Sequence, residues 1–162
     1  MPRRLAPVSK VTRQGKIVQP RGIRNNNPGN IRWRDDWQGL IAPNMRTDKD
    51  FCQFTEPAYG IRAICRILLN YGSKAGTPGV GQPNIDTVRE IIGRWAPPSE
   101  NDTEAYIASV ARSVDVLPNQ HIDVTEPRIM RGLVVAIIRH ENGQQPYSLT
   151  IINEGLRLAG IV

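Results

Sequence analysis

Histidine and cysteine are scarce in this chain, with two of each among 162 residues. Cys52 and Cys65 form no C-x-x-C pair and have no histidine at ligand spacing. That excludes a zinc finger or a redox dithiol and leaves them as small buried hydrophobes. His121 and His140 show no triad or metal-ligand pattern and read as structural, so neither a metal nor a cofactor is expected. No run approaches the roughly 18 apolar residues of a membrane span, and the N-terminus lacks the apolar core of a secretory signal. The expectation is synthesis in the cytoplasm, no membrane span, and delivery elsewhere by another device.

Acid is missing where base is dense. Residues 1–24 hold seven basic groups (Arg3, Arg4, Lys10, Arg13, Lys16, Arg21, Arg24) and no Asp or Glu, so the net charge of +6 sits in this segment. The remainder carries 14 basic and 15 acidic residues. Pro2, Pro7, Gly15 and Pro20 interrupt any helical period, so residues 1–20 read as a basic extended arm. Such an arm suits an anionic polymer or an acidic groove on a partner, and it equally suits a solvated tail. Residues 21–162 suffice for one domain that buries roughly two-thirds of its unfolded surface without a disulfide.

What is present in abundance is side-chain amide. The tract RGIRNNNPGNIRWRDDWQG, Arg21 to Gly39, places Asn25, Asn26 and Asn27 before a Pro28-Gly29 turn, with Asn30, Trp33 and Trp37 following. Each amide offers one acceptor and two donors, and a turn fixes where they point. Beside indole faces this chemistry suits a neutral, hydroxyl-rich ligand such as a sugar. A solvated turn leading into a strand with core tryptophans accounts for the same pattern.

Downstream the period becomes helical. Residues 30–41 and 50–54 alternate as two short strands of a hairpin anchored by Phe51 and Phe54. Helices follow from Pro57 to about Tyr71, Asp86 to Trp95, Asn101 to about Val114, Glu126 to Asn142 and Ser148 to Ala159. Gly72 to Pro83 is the main internal loop, and Pro97-Pro98 ends the second of these helices.

One residue breaks the apolar pattern. Met130, Leu133, Val134, Ile137 and Ile138 form a stripe, and Glu141 lies on it, four after Ile137 and three after Ile138. Asn142-Gly143 is a stop signal, so Glu141 sits at the negative end of the helix dipole. Burial and that dipole both favour a protonated carboxyl, which is what a general acid requires. An end-of-helix Glu reaching solvent or Arg139 is the structural alternative.

The strings RGIRNNNPGNIR, YGIRA (Tyr59 to Ala63), RWAPPSEN (Arg94 to Asn101) and AIIRHENG (Ala136 to Gly143) resemble a family of phage virion proteins often labelled only structural. The motif order is also similar to that of autolysin-type N-acetylglucosaminidases of the lysozyme-like superfamily. Here the Glu-bearing helix comes last rather than first, as a circular permutation would place it. The resemblance implies a mainly α (α+β) lysozyme-like domain with a small hairpin. It further implies Glu141 as the catalytic acid, with Asn26, Asn27 and Asn30 lining the cleft and a peptidoglycan glycan strand as substrate.

Other residues compete for roles. Glu100, in the Pro97-to-Asn101 loop, reads as a second catalytic carboxylate or as a helix N-terminal charge. Trp95 and Tyr106 read as sugar-stacking or sugar-orienting residues, or as core. Asp35, Asp36, Asp48 and Asp50 are of the type that supplies a second carboxylate, and no spacing selects one. Without one, a single Glu serves as acid and then base, as in a lytic transglycosylase. The resulting expectation is a virion protein that cleaves peptidoglycan in the host periplasm during entry, its arm docking on other virion proteins. A released endolysin shares that chemistry, and a structural plug or adaptor without turnover shares the location. Nucleic acid is disfavoured, because outside the arm the chain is near neutral and its tryptophans are not interleaved with a basic stripe.

Overall fold

The computed structural model describes residues 10–11, 17–81, 83–99 and 101–162. Among them the fold is mainly α. Two-residue strands β1 (Lys10–Val11) and β2 (Ile17–Val18) pair antiparallel, Lys10 opposite Val18. Helices follow as α1 (Arg21–Arg24), α2 (Pro57–Tyr71), α3 (Val88–Trp95), α4 (Thr103–Val114), α5 (Pro127–Asn142) and α6 (Leu149–Leu158), with a 3-10 turn at Pro43–Met45.

The helices form where apolar spacing and caps agree. Thr87 accepts from the Glu90 amide, Asp102 from the Ala105 amide and Ser148 from the Ile151 amide, each satisfying a donor in a first turn. These caps start α3 and α4 about two residues later than periodicity alone suggests, because Asp86 and Asn101 lie outside the true N-caps. Gly143, in the left-handed region, ends α5. The one-turn α1 is an addition to the sequence reading. Its four residues are too few to show a period.

The expected hairpin is reduced to single bridges, Arg32 with Phe51 and Leu40 with Phe54. Residues 31–33 meet 50–52, through Cys52 N to Ile31 O at 2.8 Å, whereas 39–41 meet 53–55, through Ile41 N to Gln53 O at 3.0 Å. The exposed charged run Arg34-Asp35-Asp36 loops out between them, so no continuous ladder forms. Side chains replace it: the Gln53 carbonyl oxygen accepts from the Thr47 and Asp48 amides.

α5 is the axis of the core. Ile129, Met130, Leu133, Val134, Ile137 and Ile138 are all buried, and the helix meets α1, α2, α4 and α6. α2 lies on α6, its Ile61 filling the space over Gly155. Cys52 and Cys65 are both buried, with the Cys65 thiol pushed up to about 12 by desolvation, as a small hydrophobe behaves. The internal loop is closed by Glu90. Its carboxylate accepts from Thr77 N (2.6 Å), Asp86 N (3.2 Å) and the Thr87 hydroxyl (2.9 Å). Among the described residues no helix is long and apolar enough to cross a membrane.

Candidate functional site

The asparagine tract wraps the end of α5. Asn26 (φ 52°) and Asn30 (φ 50°) occupy the left-handed region, which asparagine tolerates better than other non-glycine residues. These two reversals fold the Pro28-Gly29 turn back over the helix terminus. The Asn142 amide donates to Pro28 O at 2.8 Å and to Ile138 O at 2.9 Å, fastening the turn to α5.

At that seam Asn30 Nδ2 donates to Glu141 Oε1 at 3.3 Å, across 111 residues of sequence. From α4, the Tyr106 hydroxyl donates to Glu141 Oε2 at 3.1 Å. His140 stacks on Tyr106 with ring centroids 3.6 Å apart, and burial lowers its pKa against a smaller opposing effect of Asp102. Glu141 and Tyr106 are 0% exposed and Asn30 1%. Loss of water disfavours a charged carboxylate, and donors such as the Asn30 amide and the Tyr106 hydroxyl stabilise one. The arrangement sets a carboxyl out of water at the end of a helix.

The sequence-predicted residues separate into those that meet and those that do not. Asn30, Tyr106 and Glu141 meet directly. Asn27 is diverted to the framework: its oxygen accepts from Ile31 N at 3.0 Å, and its nitrogen donates to Ile31 O at 2.9 Å and Cys52 O at 3.0 Å. Fully buried, it is a staple of the bridged loops rather than the cleft residue expected. Asn26 is half-buried and donates to Phe54 O at 3.1 Å, a similar task. Trp95 is 0% exposed, packed beneath the turn, so the structure places its ring in the core and not in an open cleft. Glu100 lies outside the described residues.

Of the hairpin-side acids, Asp48 and Asp50 are taken by Arg21. Its guanidinium grips Asp48 through Nε at 2.7 Å and Nη2 at 2.6 Å and reaches Asp50 at 3.2 Å. Asn25 Nδ2 adds a bond to Asp48 at 2.8 Å. Burial opposes ionisation of Asp48, but Arg21 with the Phe51, Asn25 and Asp50 N–H groups outweighs it and holds the carboxyl well below the usual carboxylate range. Asp35 and Asp36 remain exposed.

An acid dependence follows with a definite sign. Since the folded pKa of Asp48 is depressed, its contribution is complete above the unfolded value near 4 and is lost as pH falls through the folded one. Asp48→Asn is expected to cost about 2 kcal/mol at pH 7. Urea unfolding across pH should show the gap between the variants narrowing below about pH 4.

Asn142 and His140 are contributors that sequence reasoning underrated. Asn142 was legible only as a stop signal, and nothing in a linear pattern reveals a stacking partner 34 residues away. Among the described residues, no group of three or more His, Cys, Asp or Glu is placed to hold a metal ion.

No family model matches the chain. Protein P5 of Pseudoalteromonas phage PM2 is 39% identical over 140 residues, covering 83% of this chain and 79% of that protein.

Proposed function

The chain belongs to the family of Protein P5 of Pseudoalteromonas phage PM2, and from that premise we propose that it is a virion-associated enzyme cleaving the peptidoglycan glycan strand during cell entry. The observation that carries this reading is the buried cluster of Asn30, Tyr106 and Glu141, in which a helix-end carboxyl meets the amide tract. Glu141 delivers its proton to the glycosidic oxygen as the C1–O bond breaks, and the resulting carboxylate then takes a proton from the attacking hydroxyl. The attacker is water in a hydrolase, or the sugar's own hydroxyl in a lytic transglycosylase. Because Glu141 is sealed from solvent, the side chains around it must open for the sugar to enter. The domain is read as lysozyme-like and circularly permuted, with the basic arm docking on other virion proteins.

A second reading is favoured by that same sealing. A carboxyl with 0% exposure that accepts from Asn30 and Tyr106 is also what a purely structural hub looks like, as in a plug or adaptor without turnover.

Muropeptide analysis separates the two. Purified sacculi incubated with the protein are expected to yield new glycan ends by mass spectrometry, anhydro ends marking transglycosylation and reducing ends hydrolysis. Sacculi left intact by the folded protein would favour the structural hub. Proteomics of purified particles tests the location, since an endolysin should be missing from them.

A further inference from the structure

We propose that a basic groove beside this cluster binds the carboxylate-bearing peptide stems of the cell-wall strand, an inference that rests on the glycan-cleaving reading. The groove has a volume of about 590 Å³ and is bounded by the charged loop 31–37 on one side. Arg66 and Asn70 of α2, and Lys74 just beyond it, form the opposite wall at four-residue spacing, with Arg94 of α3 completing it. Along the chain the groove adjoins the Glu141 cluster, since Ile31 of its lining directly follows Asn30.

Charge is concentrated there beyond what the composition requires. Five of the 14 basic residues outside the first 24 line this one groove: Arg32, Arg34, Arg66, Lys74 and Arg94. Among the described residues none of the five pairs with a carboxylate, although Arg21, Arg89, Arg128 and Arg157 elsewhere all do. Two are held instead by aromatic faces, Arg32 over Phe51 at 4.8 Å and Arg94 over Tyr71 at 5.6 Å. An aromatic face orients a guanidinium without neutralising it. The buried indole N–H of Trp37 adds a donor that has no acceptor among the described residues.

These groups do not suit the sugars. Hydroxyl and N-acetyl groups are neutral and are recognised by amides, whereas cations are matched to anions hanging from the strand. Peptide stems supply carboxylates at regular intervals along an otherwise uncharged glycan. Asp35 and Asp36 line the same groove. They oppose a polyphosphate such as DNA, and they suit a stem that also carries an amino group.

The test uses charge reversal at two positions outside the proposed catalytic cluster. Arg34 and Lys74 are exposed, and neither side chain makes a hydrogen bond or ion pair among the described residues. Arg34→Glu with Lys74→Glu is expected to weaken co-sedimentation with purified sacculi about tenfold. Binding to glycan strands stripped of stems by an amidase should be unchanged. Equal weakening on both substrates, no weakening on sacculi, or displacement of sacculi by double-stranded DNA would overturn the proposal. New glycan ends from the stripped strands report cleavage independently. If they fail to form while stem-dependent binding persists, the groove stands and the cleavage reading falls.

Discussion

Glu141→Gln is expected to reduce glycan-strand cleavage by about 10³-fold while leaving the helical fold in place. The amide keeps the volume of the acid, which matters at a side chain with 0% exposure. It also keeps most of the bonding. The substituted side chain can accept from Asn30 through its oxygen and donate to Tyr106 through its nitrogen, since a phenol hydroxyl both donates and accepts. The expected stability loss is therefore about 1 kcal/mol. What the amide cannot do is transfer a proton to a leaving oxygen. Muropeptide release and thermal unfolding by circular dichroism, measured on the same preparation, separate the two effects. Undiminished cleavage by a folded Glu141→Gln protein would remove Glu141 from the mechanism.

Gly60→Ala is expected to destabilise the protein by about 2–4 kcal/mol in urea unfolding. Gly60 lies in the first turns of α2, where the asparagine tract crosses it. An added Cβ would overlap the Asn26 carbonyl oxygen and lie 2.9 Å from Pro28 Cδ. Neither neighbour can rotate away. One is backbone held in the left-handed region, and the other is a closed ring. Relief requires the tract to lift from α2, which carries Asn30 away from Glu141, so cleavage should fall together with stability. Gly93→Ala is the control. Its Cβ meets nothing within 4 Å, and alanine is the better helix former, so stability should hold or rise slightly.

The helices were legible because each records its burial in its own residues. The stripe of α5 from Met130 to Ile138 and the Pro57 start of α2 are patterns within a few turns, and the structure reproduces them. The hairpin differs from the sequence pattern for the converse reason. Alternation in residues 30–41 describes which side chains are apolar, but pairing depends on what lies opposite. There the bridging is shared between two separate segments. The asparagines are only half legible for a related reason. An amide's chemistry is visible in sequence, but whether it meets a ligand or a carbonyl depends on the backbone brought beside it. Asn27 found Ile31 and Cys52.

By itself the sequence determined a mainly helical domain, a carboxylate placed on an apolar helix face, and a turn rich in amides. Each follows from local periodicity, capping and turn chemistry. Only the tertiary structure decided that Asn30 and Tyr106 close on Glu141, that Asn27 and Trp95 serve the framework, and that five cations with no carboxylate partner among the described residues gather in one groove. Those relations join residues far apart in the chain. They are set by the packing of α4 and α5 beneath the Pro28-Gly29 turn, and no spacing along a single segment encodes such a contact.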